Sequence, residues 1–181
     1  DEITQPLADN GFAFDEQRIL AALAEPSTRG LWRVRLMLAK DGRCSVTAFP
    51  LVDEPAEGRL ALLAEKRIDS RYPLRRHKTT DRAIYDEALG IIAGQPAVFD
   101  QVFLNERGEV AEGARSNVFV ERDGVLLTPP IASGALPGVL RAELLAEGKA
   151  REAVLWPADL AGGFWLGNAL RGLVRVSLRQ P

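Results

Sequence analysis

The chain has 181 residues, 46% of them hydrophobic and 27% charged, with a formal charge of −2 at pH 7; that is enough to bury a sizeable core, with no basic excess to suit nucleic acid or an anionic membrane surface. A single cysteine, Cys44, excludes an internal disulfide and a cysteine-based metal site, and a single histidine, His77, excludes a histidine cluster, so no metal is expected. No apolar run approaches the roughly 20 residues of a membrane span, and Asp1-Glu2-Ile3-Thr4-Gln5-Pro6 is unlike a signal peptide, so a cytoplasmic protein is the simplest expectation.

In chain order, Gly11-Phe12-Ala13-Phe14-Asp15 reads as a loop into a helix. Asp15 caps it, Ile19, Leu20, Ala22 and Leu23 give it an apolar face, and Pro26 stops it. After Gly30, residues 31–38 read as a strand with Arg33 and Arg35 on one face. Lys40-Asp41-Gly42-Arg43 is a hairpin turn. Residues 44–51 return from it, with Val46, Ala48 and Pro50 alternating against Ser45, Thr47 and Phe49. Residues 52–59, with Pro55 and Gly58, are a polar loop. Residues 60–68, apolar and then charged, read as another strand. A boundary is expected near residues 69–73, giving a small α+β module over 1–72 and a larger mixed module over 73–181.

The second module opens on the extended, proline-marked Tyr72-Pro73-Leu74-Arg75-Arg76. A helix follows shortly, since Ala83, Ile84, Ala88, Leu89 and Ile92 recur at three- and four-residue intervals, and Thr80-Asp81 is its expected N-cap. Strands are expected over 98–104, 116–121, 125–128 and 150–155, with 109–113 running on from a turn at Asn105-Glu106-Arg107-Gly108 and a second turn at Asp123-Gly124. Ala135-Leu136-Pro137-Gly138 leads into a helix over 139–146 that Gly148 ends. Residues 158–160 are a short turn or helix. Two short strands, 164–166 and 173–178, flank the polar stretch 167–172. There is no internal repeat.

Lys78, in His77-Lys78-Thr79-Thr80-Asp81-Arg82, stands just before a helix start. The helix dipole, Arg75, Arg76 and Arg82 all disfavour a further positive charge there and lower the lysine pKa. A neutral amine is what a Schiff-base nucleophile must be. A solvated basic turn is the competing reading. Three more stretches can carry chemistry. Glu112-Gly113-Ala114-Arg115-Ser116-Asn117 sets a carboxylate beside a glycine turn. Leu136-Pro137-Gly138-Val139-Leu140-Arg141 opens a helix, whose free N–H groups can bind a phosphate, although neither a Walker nor a Rossmann glycine pattern occurs. Gly167-Asn168-Ala169-Leu170-Arg171-Gly172 lets the backbone approach a ligand closely. Each has a plain structural alternative: a surface turn, a helix start, a hairpin connection.

In this order and spacing the four stretches resemble the class IV aminotransferases, the pyridoxal-phosphate enzymes of fold type IV, from about Asp15 onward. Asn168-Ala169-Leu170-Arg171-Gly172 looks most like 4-amino-4-deoxychorismate lyase. His77-Lys78-Thr79-Thr80 and Asn105-Glu106-Arg107-Gly108 look like the lyase-type domain fused behind an aminodeoxychorismate synthase component I. The resemblance implies a two-module α+β fold, pyridoxal 5′-phosphate as cofactor, a homodimer and a small-molecule substrate. It implies that Lys78 holds the cofactor covalently and carries the proton, and that Glu112 faces the pyridine nitrogen. Val139, Leu140, Asn168 and Ala169 match the phosphate side. Relatives often have Thr at the position of Leu140, so only backbone contacts are expected there. Ala169 and Ala83 stand where several transaminases have a hydroxyl residue and a tyrosine, which leans toward the lyase; an aminotransferase for D- or branched-chain amino acids and a non-catalytic domain are the alternatives. Arg82, Arg171 and Arg35 are candidates for the substrate carboxylate, because a guanidinium binds one bidentately. The family begins about 40 residues earlier, a length of the scale of a supersecondary unit, so the first module is expected to be truncated.

Overall fold

The computed structural model of the chain describes residues 11–13, 15–24, 30–51 and 59–179. Its contacts divide into two units, Asp1–Glu54 and Pro55–Pro181. The expectations for Phe14, for Pro26 as helix stop and for the loop around Pro55 and Gly58 lie outside the described residues.

In the first unit, helix α1 (Glu16–Ala24) starts where the sequence places it. The Asp15 carboxylate accepts the Arg18 N–H at 3.1 Å, the third-residue contact of an N-cap. Strands β1 (Trp32–Leu38) and β2 (Cys44–Pro50) form an antiparallel hairpin in the register Trp32 opposite Pro50 through Leu38 opposite Cys44. Its turn is fixed by Gly42 at φ +82° and by the Arg43 N–H on the Asp41 carboxylate at 3.0 Å. Cys44, Val46 and Ala48 are half-buried while Ser45, Thr47 and Phe49 are exposed. The expected alternation holds, with Pro50 the exception at the exposed end.

The second unit is built on an eight-stranded mixed sheet in the order β5-β4-β3-β10-β9-β6-β7-β8. These strands are β3 (Arg59–Leu63), β4 (Val98–Leu104), β5 (Val110–Gly113), β6 (Asn117–Arg122), β7 (Val125–Thr128), β8 (Ala150–Glu152), β9 (Phe164–Asn168) and β10 (Gly172–Leu178). β3 was expected in the first module. It instead lies inside this sheet, parallel to both β4 and β10, with Ala61 fully buried. The division therefore falls before β3 rather than near residues 69–73. Parallel neighbours require a crossover, and residues 64–97 provide it. That crossover holds a 3-10 turn (Pro73–Arg76) and helix α2 (Ala83–Ile92).

The Pro73 segment was read as extended. It coils because proline at the first helical position presets the backbone angle and lacks a donor that would go unused there. The N-cap of α2 is Arg82, with no side-chain cap bond, and not Thr80-Asp81. Asp81 is engaged elsewhere, accepting the Tyr72 hydroxyl at 2.5 Å.

The sheet curls until its edges meet. The Val110 N–H of β5 donates to Leu155 O, just beyond β8, at 2.8 Å. Leu155 was expected to be within a strand; β8 is shorter and the chain leaves it to close the curl. Inside the curl, Val110, Val118, Leu155, Leu160, Phe164 and Leu166 are all at most 1% exposed. A second cluster sits between α2 and the sheet, with Ala88, Phe103, Ala111 and the partly buried Ile84, Tyr85 and Leu89. Helix α3 (Val139–Ala146) covers a third around Phe119. Gly148, at φ +69° and one residue past the C-cap Glu147, ends it. Among the described residues no helix is long and apolar enough to cross a membrane.

Candidate active site

Lys78 follows His77, which has extended backbone (φ −127°, ψ 140°), and stands before α2 as expected. The residue is exposed, yet its amine is crowded enough that desolvation is the largest cause of a lowered pKa. The Arg82 charge acts in the same direction and the Glu112 charge opposes both. Arg75 does not share in this, contrary to expectation. Its guanidinium turns away to the Asp69 carbonyl at 3.2 Å and to the Tyr85 hydroxyl.

Glu112 lies on β5, opposite Phe103 of β4, and is 6% exposed. Burial raises its pKa to about 7, against the pull of its two hydrogen bonds. One carboxylate oxygen accepts the Tyr85 hydroxyl and the other accepts the Leu136 N–H at 2.9 Å. The second bond ties β5 to the segment that leads into α3.

The loop after Glu112 is held from below by Asp100, a carboxylate in the middle of apolar β4. Asp100 is fully buried and its pKa is raised by burial. It accepts the N–H groups of Ala114 and Arg115, both at 3.1 Å, and the Ser116 hydroxyl at 2.6 Å. The loop's far end is Asn117, which pairs with Gly167 of β9. Its side-chain amide donates to Leu136 O at 2.9 Å.

These contacts aim the start of α3. Its N-cap is Gly138, with no side-chain cap bond, so the first-turn N–H groups of Val139 and Leu140 lack intrahelical acceptors. Val139 is 63% exposed. A Cβ on Gly138 would lie 2.3 Å from Asn117 Oδ1, and one on Gly167 would lie 2.9 Å from both Leu140 Cδ2 and Leu173 Cδ2. The two glycines thus let the helix start settle against β6 and against the β9–β10 hairpin. Gly138→Ala should cost about 1–3 kcal/mol through overpacking, read as a fall in thermal midpoint. An unchanged midpoint would mean that Asn117 moves aside freely.

The hairpin turn is 169–171. Asn168 Oδ1 accepts the N–H groups of Leu170 and Arg171, both at 3.0 Å, and Asn168 Nδ2 donates to Arg115 O at 2.9 Å. Ala169 is exposed on this turn. All four singled-out stretches are therefore linked. Lys78 is within electrostatic reach of Glu112, Glu112 bonds Leu136, α3 packs on β9, and Asn168 returns to the loop that follows Glu112.

The arginines differ. Arg82 is tied to Asp86 Oδ1 at 2.8 Å and Ala114 O at 2.9 Å, with its guanidinium 5.5 Å from the Tyr85 ring centroid. Arg171 is half-buried at the hairpin turn. Arg35 is exposed on β1 of the first unit, opposite Thr47. Sequence reading misses Tyr85 and Asp100 as members of this arrangement, and it names Arg75 only as a like charge beside Lys78 and Asn117 only as the end of the Glu112 stretch. Tyr85 carried a faint signal, a hydroxylated aromatic three residues after Arg82 on a helix. So did Asp100, a lone charge inside a strand pattern.

A fit to pyridoxal phosphate can be judged from these groups. The cofactor needs an amine that can be neutral, a carboxylate for a protonated pyridine nitrogen and an anion cradle. Lys78 with its lowered pKa, the buried Glu112 and the uncapped start of α3 could supply the three.

A family model described as "Amino-transferase class IV" matches residues 10–178. A protein of Schizosaccharomyces pombe named "Putative aminodeoxychorismate lyase" is 32% identical over 144 residues, which are 78% of this chain. The chain spans 61% of that relative's length. The crystal structure of a "Putative amino-acid aminotransferase" from Mesorhizobium loti superposes with a TM-score of 0.90 at 39% identity, covering 98% of this chain and 88% of that one. A "hypothetical aminotransferase" from Mycobacterium tuberculosis, solved with α-ketoglutarate and PMP bound, superposes with a TM-score of 0.69 at 28% identity, covering 91% of this chain and 66% of that one.

Proposed function

The chain belongs to the class IV aminotransferase family, whose members are pyridoxal-phosphate enzymes, and we propose that it is the lyase that converts 4-amino-4-deoxychorismate to 4-aminobenzoate and pyruvate. The observation that carries the reading is the pairing of Lys78, its pKa lowered, with the buried Glu112, beside a helix start without a cap. The similarity to the S. pombe protein supports the lyase over the transaminase, as do alanines at positions 83 and 169.

When bound, the cofactor supplies an electron sink for the pair left when a C–H bond breaks beside the substrate amine. Lys78 would hold the cofactor and, as a neutral amine, would take that proton. Glu112 would keep a proton on the pyridine nitrogen. The N–H groups of Val139 and Leu140, with the turn at Asn168 and Ala169, would hold the phosphate. Arg171 and Arg82 are the candidates for a substrate carboxylate, Arg82 by exchanging its Asp86 partner for that carboxylate. The net reaction breaks the ether C–O bond and makes the ring aromatic. A homodimer, a cytoplasmic location and an upstream synthase component in the full-length protein accompany the reading.

The second reading, an aminotransferase for D- or branched-chain amino acids, is supported by the 39% identity to the M. loti protein. It uses the same lysine to return the proton elsewhere. Product analysis separates the two: pyruvate with 4-aminobenzoate, or a keto acid with a new amino acid. Neither pair from the cofactor-loaded chain would leave the non-catalytic domain as the reading.

A further inference from the structure

Glu112 is held by a chain of contacts that begins at a permanent charge. The Arg75 guanidinium donates to the Tyr85 hydroxyl, and that hydroxyl donates to Glu112 Oε1. Arg75 also stacks 5.3 Å from the Tyr85 ring centroid. The ring is set by an edge-on contact with Phe103, 5.1 Å between centroids at 78°, and Phe103 is the strand neighbour of Glu112. The other oxygen, Oε2, is held by the Leu136 backbone at 2.9 Å. Each carboxylate oxygen thus keeps a lone pair for a further donor. Of the charged groups around Glu112, Arg75 and Lys78 favour its ionised form and Asp100 opposes it. Tyr85 itself stays protonated, because burial and the Glu112 charge raise its own pKa.

We propose that Tyr85, backed by Arg75, is a positioning residue that fixes the orientation and the charge of Glu112, so that the carboxylate meets a cationic nitrogen ready-made. The importance of this link rests on the reading of Glu112 as the cofactor's carboxylate. The link itself is open to measurement without cofactor. It acts on burial, the dominant influence on Glu112: a hydrogen bond to a charged acceptor offsets part of the desolvation cost, and the Arg75 contact polarises the hydroxyl that makes it.

The test is a pH titration of the Glu112 carboxyl carbon by NMR in the full chain, comparing wild type with Tyr85→Phe and Arg75→Gln. Tyr85→Phe keeps the ring contact with Phe103 and removes only the hydroxyl. Its Glu112 midpoint should move up by about one pH unit. Arg75→Gln should move it in the same direction by less, and decides the matter if Tyr85→Phe does not fold. Unchanged midpoints in the folded variants overturn the proposal, because a residue that merely packs would leave the titration where it was. The same samples are then given pyridoxal phosphate, reduced with borohydride and mapped by mass. A midpoint shift with no mass increment on the wild-type Lys78 peptide keeps the link and removes the cofactor reading. An increment without a midpoint shift does the reverse.

Discussion

Lys78→Ala should lower turnover on the order of 10,000-fold, the combined loss of a covalent anchor and a proton carrier. It should also lose the borohydride-stabilised mass increment that wild type carries on the peptide containing residue 78. Both effects should come without unfolding. Among the described residues Lys78 makes no hydrogen bond or ion pair, and its charge is disfavoured by desolvation and by Arg82. The thermal midpoint of the variant should therefore stay level or rise slightly, because removing such an amine relieves a cost. Retained activity would remove Lys78 from the centre of the mechanism. Lost activity with a collapsed midpoint would mean instead that the lysine is structural.

Glu112→Gln should separate stability from function. For function, a neutral amide cannot hold a proton on the pyridine nitrogen, and a loss of about 100- to 1,000-fold is expected, similar to removing one preorganised electrostatic partner elsewhere. For stability the sign is opposite. The folded pKa of Glu112 is raised from 4.5 to about 7. Between those values the native state binds more protons than the unfolded state, so wild-type stability falls as pH rises through the window. The cost is fully present above pH 7 and absent below about pH 4.5. Gln lacks this titration. The variant should thus be the more stable protein at pH 8, on the order of 2 kcal/mol after allowing for an acceptor lost toward Tyr85 or Leu136. The gap should close toward pH 5. Denaturant midpoints at the two pH values would measure it, and a variant less stable than wild type at pH 8 would mean that the hydrogen bonds outweigh burial.

Much of the second unit could be read along the chain because its elements are local. Turns at Gly108 and Gly124 join β4 to β5 and β6 to β7, and α3 has an apolar face with glycines at both ends. The residues of β3 were equally legible as a strand, but their place was not. Its partners are β4, beyond a long crossover, and β10 near the end of the chain, and no local pattern encodes which sheet a strand joins. The coil at Pro73 was hidden because proline suits extended and helical starts alike. In the site, Lys78 and Glu112 were legible through the family's motif order. Tyr85 and Asp100 were not, since their significance lies in what they touch. The positive surroundings of Lys78 were read from neighbours in sequence, but the side chain of Arg75 points elsewhere.

The place of β3 also bears on the order of events during synthesis. Arg59 in β3 faces Val176 in β10, so one edge of β3 waits for nearly all of the second unit to leave the ribosome. Until then the growing chain can pair β3 with β4 and β4 with β5, and can bring Lys78 and Glu112 together early. Asn168 and the β9–β10 hairpin arrive last. Such distant pairing carries a high loop-closure cost and slows folding. A nascent chain halted after α3 should therefore remain protease-sensitive along β3, and protection there should arrive in one step with β10.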